Sequence, residues 1–109
     1  MQTKQQVEKL LDKIETTGIL LWQQKSEGYK NVQEIVKNLG ELMPQLLDFM
    51  SKYGTDDCNT EMLMSQLKRI VKDLEKRDVI ELADVLNYEL YNTLNFYKQN
   101  IDILKEENR

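Results

Sequence analysis

The chain has 109 residues, 40% of them hydrophobic and 31% charged, which predicts one folded domain covering residues 1–109 with a single modest core. A net charge of −4 and the absence of histidine weigh against nucleic-acid binding, histidine-based catalysis and most zinc sites. Because there is neither a signal-peptide-like N-terminus nor a long apolar run, we expect a cytoplasmic protein with no membrane partner.

The first predicted helix begins near Thr3, and Gly18 falls in the middle of its apolar face. Glycine inside a helix costs about 1 kcal/mol relative to alanine. We therefore expect either a close approach by a neighbouring helix or a helix boundary or kink at this position. The segment "ILLW" that follows places apolar residues on every side, which makes Leu20 and Trp22 candidates for contact with a partner.

The second predicted helix has one apolar stripe that continues past a proline. Pro44 removes a backbone donor, and its ring clashes with the carbonyl of Gly40. The pattern therefore predicts a helix that is kinked near Gly40 to Pro44, or one that is split there into two shorter helices. The stripe consists of Tyr29, Val32, Ile35, Val36, Leu39, Met43, Leu46, Leu47 and Met50.

A polar segment from Tyr53 to Asn59 predicts the clearest loop, and it places Cys58 at an exposed position without an activated thiolate. The third predicted helix follows, with Leu63, Leu67, Ile70, Val71 and Leu74 facing inward. Its opposite side carries Lys68, Arg69, Lys72 and Lys76, a pattern typical of a solvated face and also compatible with an acidic partner.

The last predicted helix starts after Asp78, a good N-cap residue, and runs to about Glu106. Its extra length relative to the third helix predicts an overhang that packs on the second helix or on another subunit. Together the four segments predict an all-α, antiparallel four-helix bundle with a long C-terminal helix. The inner stripe of that helix is Val79, Leu82, Ala83, Leu86, Leu90, Thr93, Leu94, Tyr97, Ile101 and Leu104.

Two carboxylates in "ELAD", Glu81 and Asp84, have the spacing that lets residues share one helix face. This segment resembles the second metal-binding motif of the MazG-like nucleotide pyrophosphohydrolases, and the resemblance implies Mg²⁺-dependent hydrolysis. The Glu-x-x-Glu motif that the family carries on an earlier helix has no counterpart in this sequence. The competing interpretation assigns Glu81 to a cap with Asp78, and Glu89 to an ion pair or a tyrosine hydrogen bond at the core margin. That interpretation predicts no metal and no cofactor.

The outward side of the last helix is unusually apolar for a solvated surface, with Ile80, Val85, Tyr88 and Tyr91 around Asp84. Tyrosine is enriched at protein interfaces. These five residues are therefore the main candidates for binding a protein partner or a second copy in a homodimer.

The segment "DVIELADVLNYELYNTL" (Asp78 to Leu94) resembles segments of small, uncharacterised all-helical proteins of Gram-positive bacteria, and the layout is similar to small flagellar and secretion chaperones. The sequence thus favours a non-enzymatic interaction protein, adaptor or chaperone-like, that self-associates. The alternative is a partial MazG-like pyrophosphohydrolase.

Overall fold

The computed structural model describes the backbone of residues 2–107 and the side chains of residues 3–102. Over this range it contains helices and connecting turns but no strand. The helices are α1 (Gln2–Trp22), α2 (Ser26–Tyr53), α3 (Thr60–Lys76), α4 (Val79–Asp84), a π-helical segment (Val85–Leu90) and α5 (Tyr91–Glu107). The last three join without interruption into one C-terminal helix. The predicted all-α fold with a long C-terminal helix is confirmed.

The helices form a four-cornered bundle in which α1 and α3 occupy diagonal corners. Helix α1 packs on α2 and on the C-terminal helix, and α3 packs on the same two from the other side. Lys4 near the start of α1 bonds Asp102, and Glu15 further along bonds Tyr91, so α1 and the C-terminal helix are antiparallel. The bundle measures 47 × 23 × 20 Å. No helix within residues 2–107 is both long enough and apolar enough to cross a membrane.

The core runs along the bundle and takes apolar side chains from every helix. On the C-terminal helix the predicted leucines Leu82, Leu86, Leu90 and Leu94 are all fully buried. The ring of Phe49 near the end of α2 lies 4.9 Å from Tyr97, centroid to centroid. The overhang of the C-terminal helix therefore packs on α2 at this level. Packing on α2 was one of the two predicted alternatives. The side chain of Leu104 lies outside the described residues.

Helix α2 is continuous through Gly40 and Pro44 for 28 residues, so the predicted split is wrong. Both residues are exposed, and a Cβ at Gly40 would meet no atom within 4 Å. The hydrogen bond that Pro44 cannot make is thus lost on the solvent side, where water can replace it. The apolar stripe on the other side holds the two halves of α2 against the same core.

The connections before α3 and α4 end in side-chain caps. Asn59 Oδ1 accepts a hydrogen bond from the backbone N–H of Met62 at 3.0 Å. Asp78 Oδ1 accepts one from the N–H of Glu81 at 3.1 Å. Each bond satisfies a donor that the first turn of a helix leaves free. These caps fix where α3 and α4 begin, close to the predicted positions.

The side chains of Val71 and Cys58 lie in other surroundings than the sequence predicted. Val71 is 38% exposed at the edge of α3, because it lies too far round the helix from Ile70 to reach the core. Cys58 is buried, since the N–H of Thr55 donates to the Cys58 carbonyl and closes a turn that folds the thiol inward. Burial raises the pKa of the Cys58 thiol, which keeps it protonated at neutral pH.

Candidate functional site

The π-helical segment lies at the middle of the C-terminal helix and reorients the predicted site. The N–H of Tyr91 donates to the carbonyl of Leu86, five residues earlier. A turn of this kind holds one more residue than an α-turn, and such turns often occur at functional sites. Val85 and Leu86 are consequently both fully buried, whereas Tyr88 is 71% exposed. The prediction that Val85 faces outward is wrong, because it assumed α-helical rotation throughout.

The same segment packs on α1 at Gly18. A Cβ built on Gly18 would lie 2.4 Å from Asn87 Nδ2 and 3.0 Å from Asn87 Cγ. A side chain at this position would require the Asn87 side chain to move. Of the two explanations predicted for Gly18, the close approach of a neighbouring helix is confirmed. The helix boundary is wrong, because α1 continues to Trp22.

An exposed apolar surface lies next to this contact, on the side formed by α1 and the C-terminal helix. Ile19 and Trp22 follow Glu15 and Gly18 by one helical turn, so they share the side of α1 that meets the C-terminal helix. They are 60% and 67% exposed. Across the seam, Ile80 is 66% exposed, and Tyr88 and Asp84 follow it at four-residue spacing on the same face. We call these five residues, with the adjoining Asp12 and Glu15, the acidic face.

The acidic face carries negative charge without positive charge. In residues 12–22 and 80–91 the only Lys or Arg is Lys13, and its ammonium pairs with Glu34 on α2. Asp12 and Asp84 make no ion pair within residues 3–102. The exposed apolar side chains are therefore bordered by uncompensated carboxylates.

Two other predicted partner-binding residues lie outside the centre of this face. Tyr91 is half-buried, and its hydroxyl donates to Glu15 Oε1 at 3.0 Å, a bond that raises the pKa of Tyr91. Leu20 follows Lys13 by two turns and so lies on the α2 side of α1. Tyr91 thus borders the acidic face, and Leu20 is not part of it. Ile19 was not among the predicted partner-binding residues, although its four-residue spacing from Glu15 places it on the same side of α1.

The carboxylates of Glu81 and Glu89 meet on the opposite side of the C-terminal helix, at Arg69 of α3. Arg69 Nη2 lies 2.5 Å from Glu81 Oε1, and Nη1 lies 2.7 Å from Glu89 Oε1. These bonds raise the pKa of the Arg69 guanidinium. Of the alternatives predicted for Glu89, the ion pair with a basic residue is the one present. The Glu81 carboxylate bonds Arg69 rather than the backbone N–H of Asp78, so the predicted cap is not reciprocal. Arg69 is therefore not a free cation on the basic side of α3.

No group of three or more His, Cys, Asp or Glu side chains among the described residues is positioned to hold a metal ion. Glu81 is bonded to Arg69, whereas Asp84 is exposed on the acidic face. The two carboxylates of "ELAD" therefore lie in different surroundings.

Two polar side chains of α3, Gln66 and Asp73, are buried, and neither was predicted to be. The Thr93 hydroxyl donates to Gln66 Oε1 at 3.0 Å within the core. Asp73 is 8% exposed, and its Oδ2 has no hydrogen-bond partner among the described residues. Desolvation, together with the charges of Glu81 and Asp78, raises the pKa of the Asp73 carboxyl. Gln66 follows the buried Leu63 by three residues, and Asp73 follows Gln66 by seven. This helical spacing could have indicated that both are buried.

The function of these surfaces cannot be taken from a relative. No protein-family model matches the chain, and neither the curated proteins nor the solved structures contain a match.

Proposed function

We propose that this protein is a non-enzymatic protein–protein interaction module that self-associates through its acidic face. The single observation that carries the proposal is the grouping of Ile19, Trp22, Ile80 and Tyr88, all 60% exposed or more, on one side of the bundle. Large apolar side chains grouped on one exposed surface are typical of a binding site, whereas isolated ones need no explanation. Asp84, among them, would fix the orientation of the bound helix.

The strength expected of such a contact is moderate. Fully burying one large apolar side chain contributes roughly 1.5–3 kcal/mol. Four side chains that are already partly covered would together contribute about 4–8 kcal/mol before the entropic cost of association is subtracted. The proposal therefore predicts a dissociation constant in the micromolar range or weaker. Assembly should depend visibly on protein concentration.

Sedimentation velocity over a concentration series tests the proposal. The wild-type chain should associate at high micromolar concentration, and Tyr88→Glu should weaken this association by about tenfold or more, because a charge would be buried at the contact. Gln45→Glu, at an exposed position on α2, is the matched control and should associate like the wild type. Equal association of the wild type and Tyr88→Glu would refute the role of the acidic face.

A further inference from the structure

The acidic face is poorly suited to meet its own copy. In a symmetric pair the same surface faces itself, so Asp12, Glu15 and Asp84 of one copy would approach the same carboxylates of the other. No lysine or arginine on this face is available to compensate them. Like charges brought together in this way cost several kcal/mol at an interface. A second copy would therefore bind better through a different surface.

Helix α3 offers such a surface. Met64 and Val71 are 40% and 38% exposed and lie two turns apart on one edge of the helix. Lys68 lies between them and Lys72 beside Val71, and neither makes an ion pair within residues 3–102. We call Met64, Lys68, Val71 and Lys72 the α3 face. Glu61 and Glu75 stand at its two ends, so its positive charge is concentrated at the centre.

A shallow, open depression on the outer surface of α3 overlaps this face at Met64 and Lys68. It is lined by Thr60, Glu61, Met64, Ser65, Lys68 and Arg69. An aromatic side chain on the acidic face, Trp22 or Tyr88, projects from the bundle with two-thirds or more of its surface exposed. A projecting ring of this kind can rest against the exposed side chain of Met64 in the depression.

The two faces point away from each other. Arg69 bonds the C-terminal helix, and Val71, two residues later, lies about 200° round α3, on the edge away from that helix. The acidic face lies on the side of the bundle formed by α1 and the C-terminal helix, and α1 is diagonal to α3. One copy can therefore use both faces at once, each with a different neighbour.

We propose that the occupant of the acidic face is the α3 face of a second copy, with Lys68 and its neighbour Lys72 opposite Asp84. The contact is heterologous, so one copy keeps a free α3 face and the other a free acidic face, and assembly continues beyond a dimer into an open row of molecules. This inference rests on the proposed function and adds the surface that the acidic face binds. Because the paired charges lie at the surface, the association weakens as salt concentration rises.

Two variants, each blocked at one face, test the proposal by sedimentation velocity. Tyr88→Glu retains the α3 face, and Val71→Glu retains the acidic face. Each variant alone should remain monomeric at concentrations where the wild type forms species larger than a dimer. An equimolar mixture of the two should give a heterodimer and nothing larger, because only one productive contact remains.

A charge exchange provides the second test and avoids changing an apolar residue. Asp84→Lys and Lys68→Glu, both at exposed positions, should each weaken association by about tenfold or more, and combining the two changes in one chain should restore it, because the exchanged charges again face each other. Circular dichroism and the unfolding midpoint establish that each variant is folded.

The opposite results are equally clear. If Val71→Glu and Lys68→Glu still self-associate while Tyr88→Glu does not, the acidic face pairs with itself; the inference fails and the proposed function stands. If Tyr88→Glu associates like the wild type, the proposed function itself fails. A wild type that remains monomeric at several hundred micromolar (an order-of-magnitude limit set by the affinity expected above) overturns self-association in both forms.

Discussion

The Asn87 amide occupies the space where a side chain at residue 18 would begin. The distance from a Cβ at Gly18 to Asn87 Nδ2 would be 2.4 Å. This contact lies between α1 and the π-helical segment, one helical turn from Trp22 and one residue from Tyr88.

Gly18→Ala should have different effects in two backgrounds. In the wild type the added methyl group forces the Asn87 side chain to move, which should offset much of the roughly 1 kcal/mol that the better helix propensity of alanine contributes to the free energy of unfolding. With Asn87→Ala already present, the same change should raise it by about 1 kcal/mol. Urea unfolding of the four proteins measures the coupling. An equal effect of Gly18→Ala in both backgrounds would mean that the contact is not a constraint.

Val85→Ala and Ile80→Ala should separate the buried position from the exposed one. Val85 is fully buried, so its truncation should lower the free energy of unfolding by about 2 kcal/mol. Ile80 is 66% exposed, and its truncation should change stability by less than about 0.5 kcal/mol. Thermal or urea unfolding at low protein concentration measures both. The reverse order would mean that the C-terminal helix has ordinary α-helical rotation at Val85.

Asp73→Asn should stabilise the protein at neutral pH. The pKa of the Asp73 carboxyl is raised above its ordinary value of 3.8, so the folded state binds this proton more tightly than the unfolded state. Its contribution to stability is therefore fully present below that ordinary value and is lost as the pH rises through the folded-state pKa.

Removing the buried charge should raise the free energy of unfolding by about 1 kcal/mol at pH 7, and this gain should disappear in acid. The comparison is urea unfolding at several pH values. Glu75→Gln, at an exposed position on the same helix, is the control and should show no such dependence.

Arg69→Gln should loosen the contact between α3 and the C-terminal helix. Arg69, Glu81 and Glu89 are each more than a third exposed, so losing both ion pairs should cost only about 1 kcal/mol of unfolding free energy. The loss should shrink in 1 M salt, roughly the concentration at which the screening length falls to about 3 Å. Lys76→Gln, which removes an exposed charge at the end of α3, should leave stability unchanged. A salt-independent loss would indicate packing rather than charge.

The sequence predicted the helices and most of the core because apolar spacing follows the α-helical period. Leu82, Leu86 and Leu90 are buried as that period requires. The caps at Asn59 and Asp78 were also predictable, since the residue types that accept these bonds are few. The π-helical segment could not be predicted in this way. It changes the rotation per residue from Val85 onward, and no residue type in the segment indicates it.

Contacts between distant parts of the chain were predictable in kind but not in detail. Glu89, at the edge of the apolar stripe, was expected to find a basic or tyrosine partner, but only the alignment of α3 with the C-terminal helix identifies Arg69. Cys58 is buried because its turn folds back, which composition alone does not reveal. The acidic face contains residues of both α1 and the C-terminal helix. The sequence indicates these residues on each helix, but it does not show that they lie side by side.

Trp22 gives the acidic face an intrinsic optical reporter. It is the only tryptophan in the chain, and it is 67% exposed at the edge of this surface. Its emission in the isolated molecule should be that of a solvated indole and should be readily quenched by iodide. Any molecule that covers the acidic face, whether another copy or a different protein, should shift this emission to shorter wavelength and protect it from quenching. The surface can therefore be monitored in the unlabelled, unmodified protein.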